Sequence, residues 1–248
     1  MGGFDTVIFE KTGPIAYVTL NRPKALNAYN IRMRDELYEI LGAIRDDPDV
    51  AVAVFKASGA NAFCAGADLS EFLTAPSPLA ARKVRWERDI WGLFLSIPQP
   101  LIAALHGYVL GSGLEIALCC DFRIAAQDAQ FGLPEVGLGM IPAAGGTQTL
   151  PRTVGRSKAL EMLLTGRRIN AEEAFHMGLL NSVVPKDKLL ESAQNLATVI
   201  ASFDPLTVRC AKKAVTRGGE LTLRDGLDLE IRLVDQLRTS NFNNLKKD

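Results

Sequence analysis

Apolar and polar positions alternate loosely through residues 4–9, Thr12-Gly13-Pro14 reads as a turn, and Ile15-Ala16-Tyr17-Val18-Thr19-Leu20 is rich in strand formers. This pattern predicts an opening hairpin. Pro23 breaks the chain, and Asn30 can cap a helix whose Met33, Leu37, Ile40, Leu41 and Ile44 keep helical spacing up to Asp46-Asp47-Pro48. A buried strand is predicted over 50–55. The sequence of elements then recurs: a loop through Asp68, a helical stretch over 82–94, and an apolar strand over 101–105. Gly111-Ser112-Gly113 opens a third helix over 114–120, and 122–126 is short enough to be the next strand. Strands alternating with helices across short connections predict an α/β fold with helices packed on a largely parallel sheet. The units share no sequence identity, so the recurrence is one of architecture.

From Ser157 onward the spacing turns helical, over 158–164, 171–177, 188–202, 206–215 and 223–237, and only 179–184 reads as extended. The shift near Lys186 divides a core carrying the site, residues 1–185, from a helical region, residues 186–248. The second region is expected to cover the sheet or to meet a neighbouring subunit.

At 248 residues with 48% hydrophobic content, the chain can bury a sizeable core, and no apolar run approaches membrane-spanning length. Lys plus Arg and Asp plus Glu both number 28, so no global field draws nucleic acid or an acidic membrane. An anionic ligand would need a local basic patch. The N-terminal residues show neither a basic segment before an apolar stretch nor an Arg-rich, acid-poor composition, and a cytoplasmic protein is expected. Cys64, Cys119, Cys120 and Cys210 have no zinc-type spacing and read as buried free thiols. With only His106 and His176 and no HExxH, no metal site is expected.

Three glycine-bearing loops at strand ends are candidates for one shared site: 63–69, 107–115, and 131–135 continuing to Gly145-Gly146. The second puts glycines where a helix N-terminus presents unpaired N–H groups, a place that can receive developing negative charge. Glu115 lies one turn into that helix. Two readings fit it on this loop alone: a carboxylate aimed at the site, or the last residue of an S-x-x-E capping box started by Ser112. Glu135 lies in a stretch too apolar for an ordinary solvated turn. It also has two readings, proton transfer in an apolar site or a carboxylate satisfied by backbone N–H groups. Ile116 stands where a dinucleotide fingerprint needs glycine, and neither a phosphate loop nor a GxSxG elbow is present.

Five segments together resemble the successive signatures of the enoyl-CoA hydratase/isomerase family, the crotonase superfamily, in order and at family spacing. They are Leu20-Asn21-Arg22-Pro23-Lys24-Ala25-Leu26-Asn27-Ala28, residues 62–69, residues 107–115, residues 129–135, and residues 141–150. The resemblance implies a crotonase-like spiral of repeated ββα units with a C-terminal helical trimerisation region. It implies a homotrimer or a homohexamer built as a dimer of trimers. The implied substrate is an acyl-CoA thioester, with CoA entering as part of the substrate and no separate cofactor.

The implied chemistry is addition of water to a 2-enoyl-CoA, with Glu115 as principal base and Glu135 as principal acid, the two sharing protons along the reaction. With the resemblance, the capping box becomes the lesser reading of Glu115. Backbone N–H groups of Ala65 and Ser112 match the oxyanion hole, Ser112 standing where glycine is frequent. Arg22, Lys24, Ala25, Leu26, Ala67, Asp68 and Leu69 match the CoA-contacting positions. Trp86, Ile90, Trp91, Phe94 and Ile97 fall at helical spacing on a stretch that by the resemblance borders the acyl pocket, most of them reading as ordinary core, whereas Arg82, Lys83 and Arg85 read as a solvated helix face. The family's further C-terminal helix with a basic tail has no evident match near Phe242 and Lys246. Two other activities fit the family: a Δ3,Δ2-enoyl-CoA isomerase, and a noncatalytic acyl-CoA-binding subunit.

Overall fold

The computed structural model describes residues 4–71 and 87–244. Arg82, Lys83, Arg85 and Trp86 lie outside the described residues. A six-stranded sheet is ordered β1-β2-β3-β5-β7-β10, from β1 (Val7–Thr12), β2 (Ile15–Leu20), β3 (Val52–Ala57), β5 (Leu101–Leu105), β7 (Phe122–Ala126) and β10 (Ser182–Val184). β1 and β2 form the antiparallel hairpin, and the remaining pairs are parallel. A smaller sheet is ordered β4-β6-β8-β9, from β4 (Ala62–Cys64), β6 (Tyr108–Leu110), β8 (Gln130–Gly132) and β9 (Ile169–Asn170). β4, β6 and β8 are parallel, and β9 joins antiparallel.

The chain therefore winds as a spiral. After the hairpin and the first helix, three successive turns each lay a longer strand in the large sheet (β3, β5, β7), a three-residue strand in the small one (β4, β6, β8), and then a helical segment. The helices are α1 (Ile31–Asp46), α2 (Ile90–Ser96), α3 (Ser112–Cys119), α4 (Gly146–Val154), α5 (Arg156–Thr165), α6 (Ala171–His176), α7 (Leu189–Ala201), α8 (Pro205–Gly218) and α9 (Leu223–Asn244).

Period-two burial explains the layers. On β3 and β5, Ala53, Phe55, Leu101, Ala103 and Leu105 face a core completed by Met33, Leu37 and Ile40 of α1 and Phe94 of α2. The alternate residues Val52, Val54, Ile102 and Ala104 pack with Leu189, Ala193 and Ala197 of α7. Strands buried on both faces read as continuous apolar runs, as these do. Of the two roles expected for the region after Lys186, α7 takes the first and covers the sheet. α8 is tied back as well, with Lys212 Nζ 2.6 Å from Asp121 Oδ2 and Arg209 Nη2 donating to Val50 O at 3.0 Å.

α1 starts as its sequence predicts, the Asn30 side chain accepting from Met33 N. Glu36 on its inner face accepts from the backbone N–H groups of Asp5, Thr6 and Val7 at 3.0, 2.8 and 3.0 Å and from the Thr6 hydroxyl at 2.6 Å. One carboxylate thus anchors the start of β1 to the helix. Some boundaries differ from the sequence pattern. α3 starts at Ser112, two residues early, because Gly111 in a positive-φ conformation is the N-cap residue and no side chain caps the helix. The capping box is absent. α4 replaces what reads as a glycine loop, its Pro151 and leading glycines masking a helix that buries Leu150. β9 is two residues long, too short to show an alternation.

Glu36→Ala would strand buried backbone donors and is expected to lower unfolding stability by about 2 kcal/mol or more. Urea denaturation checks this, an unchanged midpoint being the contrary result.

Candidate active site

The three glycine-bearing loops converge because the strands that lead into them are neighbours. β4, β6 and β8 lie side by side in parallel, so residues 65–69, 111–115 and 133–135 leave the same end of the small sheet. A cavity of about 510 Å³ opens there, lined among others by Ala65, Ala67, Ser112, Glu115 and Glu135.

The turn between β6 and α3 depends on two glycines. Gly111 has φ 51° and ψ −124°, a conformation for glycine, and its N–H donates to Gly132 O at 3.0 Å. Gly113 lies so close to β4 that a Cβ there would collide with the Cys64 carbonyl oxygen. Ser112 is the first residue of α3, so its N–H has no acceptor within the helix and sits at the positive end of the helix dipole.

Ala65 is placed differently from expectation. Its N–H donates to Leu26 O at 3.1 Å, which commits the donor to the neighbouring loop. Two residues on, Tyr29 N donates to Gly66 O and Asp68 N donates to Tyr29 O, both at 2.8 Å, forming a parallel bridge to Ala67. In such a bridge the N–H of the bridged residue turns away from the partner strand. Among the described residues the Ala67 N–H has no acceptor, and Ala67 is exposed on the cavity wall. Ala67, expected as a CoA contact, therefore offers the donor expected from Ala65.

Glu115 is 2% exposed. Its Oε1 accepts from Ala144 N and Gly146 N, each at 2.9 Å. Backbone donors do hold it, as the capping reading had it, but they belong to the turn into α4 rather than to its own helix. Gly146 permits this approach, since a Cβ there would lie 3.0 Å from Glu115 Oε1. Glu135 is the second residue of a short 3-10 turn, Pro134–Leu138. Its Oε2 is buried with no hydrogen-bond partner among the described residues. Burial holds its carboxyl above the usual range, and the nearby Glu115 charge pushes the same way. The two carboxylates thus have different surroundings: Glu115 meets two aimed donors from another loop, whereas Glu135 is opposed by its own backbone N–H alone and leaves Oε2 without a partner among the described residues.

Among the expected CoA contacts, Leu69 also lines the cavity, while Arg22, Lys24, Ala25, Leu26 and Asp68 stand outside its lining on the adjoining loops. Arg22 bonds Asp68 Oδ2 at 2.9 Å and Ala28 O at 2.5 Å, which makes it a strut between two loops. Buried Asn27 reinforces that strut, accepting from Arg22 N and donating to Ser58 O and Ala62 O. Lys24 is exposed in the 3-10 turn Pro23–Ala25. Ile90 and Trp91 line the cavity, whereas Phe94 and Ile97 are fully buried core.

Sequence reasoning missed Tyr29. It lines the cavity, and burial drives its phenol far above the usual range, so the hydroxyl stays a neutral donor. Only its place just after the first signature could have flagged it. The four cysteines are free and buried, with burial pushing the Cys64 thiol up to about 11 and the Cys119 thiol up to about 12. His106 is buried, its Nε2 3.0 Å from Gly59 O, in a structural role.

The profile of the family described as enoyl-CoA hydratase/isomerase matches residues 10–244. The chain belongs to the enoyl-CoA hydratase/isomerase family. A crotonyl-CoA hydratase of Syntrophomonas wolfei is 41% identical over 228 residues, 92% of this chain and 87% of that protein. An (E)-benzylidenesuccinyl-CoA hydratase of Thauera aromatica is 40% identical over 223 residues, 89% of this chain and 86% of that protein. The crystal structure of an enoyl-CoA hydratase from Bacillus anthracis superposes with a TM-score of 0.89 at 38% identity, covering 98% of this chain and 96% of that one. The crotonase fold expected from the resemblance is thereby established. Among the described residues, no helix of this family member is long and apolar enough to cross a membrane.

Two outcomes are expected of variants here. Gly113→Ala forces a methyl against the Cys64 carbonyl and should cost about 1–3 kcal/mol of stability in denaturant titration. Glu135→Gln tests the raised carboxyl. An ordinary Glu titrates near about 4.3 when unfolded. With a higher folded value, the native state holds its proton longer, and stability falls as pH rises through that window. Removing the charge should therefore raise the variant's Tm relative to the parent more at pH 7 than at pH 4, an equal difference at both pH values being the contrary outcome.

Proposed function

We propose that this chain is a 2-enoyl-CoA hydratase, adding water across C2–C3 of an enoyl thioester to give a 3-hydroxyacyl-CoA. The observation that carries the reading is the pair of glutamates on one cavity in different surroundings, beside two outward-facing backbone donors. Glu115, held by Ala144 and Gly146 N–H, acts as base. Glu135, kept protonated to higher pH by burial, acts as acid.

As the water oxygen bonds to C3, Glu115 takes its proton and the C2–C3 π electrons move onto the thioester oxygen. The N–H groups of Ser112 and Ala67 receive that developing charge. Loss of one such donor in other enzymes costs about 2.7–4 kcal/mol, so the two account for much of the acceleration. C2 then takes a proton from Glu135, and the electrons return from oxygen to carbon. The proton left on Glu115 restores Glu135 directly or through solvent. Relatives named as hydratases, for crotonyl-CoA and for benzylidenesuccinyl-CoA, support the reaction class.

The CoA moiety is assigned to the loop of Lys24, Ala25 and Leu26 together with Asp68 and Leu69, Lys24 supplying the exposed cation. Arg22 serves chiefly to hold the loop's shape. Assembly as a trimer or a dimer of trimers is assigned to residues 186–248. On α9, Leu223, Leu227, Ile231 and Val234 follow one another at helical spacing and are exposed, which suits a face covered by another subunit.

Crotonyl-CoA incubated with the protein should lose the absorbance of the conjugated thioester and gain the mass of one water. Glu115→Gln and Glu135→Gln should each lower kcat at least about 100-fold. Folded variants retaining full hydration would overturn the assignment, and a shifted double bond without oxygen uptake from labelled water would indicate isomerisation instead.

A further inference from the structure

The Ala67 N–H owes its direction to backbone bonds made by the residues on either side of Asn27. Leu26 O accepts from Ala65 N at 3.1 Å, Tyr29 N donates to Gly66 O at 2.8 Å, and Tyr29 O accepts from Asp68 N at 2.8 Å. Residues 65, 66 and 68 are thereby held, and the N–H of residue 67 is left for the cavity. That donor can be no better placed than the loop 22–29 that holds it.

The loop contains an unusual turn. Among the described residues, Leu26 and Asn27 are the positive-φ residues other than glycine, at 51° and 55°. Two consecutive left-handed residues with side chains are costly, and such a turn persists only where its surroundings over-determine it. The Asn27 side chain does this. It is 1% exposed, its Oδ1 accepts from Arg22 N at 2.8 Å, and its Nδ2 donates to Ser58 O and Ala62 O, each at 2.9 Å. A reversed amide would set Nδ2 against an N–H and Oδ1 against two carbonyls, so the orientation is fixed by the network. Ser58 follows the large-sheet strand β3, and Ala62 begins the small-sheet strand β4. One amide therefore locks the loop to both sheets, three residues ahead of Ala65. Asn27 itself does not line the cavity, so whatever it does for the site is done through the loop.

We infer that Asn27 is a positioning residue for the Ala67 donor: its amide holds Leu26 and Tyr29 where they fix residues 65–68, so that the Ala67 N–H meets the thioester oxygen. Misplacement of a positioned group by about 1 Å can cost about 100-fold in rate, so a loosened loop has a measurable consequence. The inference rests on the donor pair of the hydratase reading, and its test reads that donor without turnover.

Butyryl-CoA has no C2–C3 double bond to hydrate, so its bound form reports the donors alone. With an isotope-labelled thioester carbonyl, difference infrared spectroscopy of the parent protein should show the C=O stretch at lower frequency bound than free. Asn27→Gly keeps the left-handed turn without the amide, and Asn27→Asp keeps the acceptor without the two donors. In both, the shift should shrink by at least about half. Hydration of crotonyl-CoA should lose at least about tenfold in kcat while KM changes by less than about threefold. Glu36→Ala, which lowers stability without lining the cavity, is the structural control and should keep the full shift. A full shift in either folded Asn27 variant overturns the inference, Asn27→Asp deciding the matter if the glycine variant does not fold. An equal loss of shift in Glu36→Ala overturns it too. No shift in the parent would remove the donor pair and this inference with it. A shift present in the parent and lost in the variants, with no hydration of any enoyl thioester, would retain the inference and remove the hydratase reading.

Discussion

The contact between Gly113 and the Cys64 carbonyl sets the orientation of the two backbone donors at the site. With that oxygen packed under α3, the trans peptide joining Cys64 to Ala65 must point its N–H the other way, and it meets Leu26 O. Gly66, at φ 114°, then turns the chain so that Tyr29 pairs with residues 66 and 68. The Ala67 N–H is what remains for the cavity. On the facing side, the same close packing brings the first N–H of α3 to the cavity wall. A larger residue at position 113 would therefore disturb two donors on two different loops through one collision.

Electrostatic surroundings set the two cavity glutamates apart. Glu115 is the more deeply buried, yet it is met by the N–H groups entering α4. Glu135 is less buried, yet one oxygen finds no partner among the described residues. Solvation by fixed dipoles, rather than depth, separates them. Gly146 matters because it lets backbone dipoles approach a carboxylate that a side chain there would crowd.

Much of this was legible in the sequence because it rests on periodicity and local chemistry. The α1 stripe and the central strands follow from spacing, and the five signatures point to the family and, through it, to both glutamates, which local pattern alone left with two readings each. What was not legible depends on which way a peptide faces. Nothing in Ala65-Gly66-Ala67 states that the first N–H turns toward Leu26 and the third toward the cavity, since both are alanines in one loop. Arg22 reads as a free cation until Asp68, distant in sequence, is found against it. Tyr29 is an aromatic residue with no motif of its own, and its surroundings come from four separate elements. The small sheet escaped because three-residue strands are too short to display alternation.

The burial of Val52, Val54, Ile102, Ala104 and Ile124 against α7 bears on how the chain is made. During synthesis these strands leave the ribosome well before residues 189–201, and the apolar side they share waits uncovered for that helix to arrive. The nascent protein passes through an interval in which the parallel strands can pair but one side of the sheet is greasy and open. Chaperone demand and the hazard of association between unfinished chains should concentrate there, ending when α7 docks.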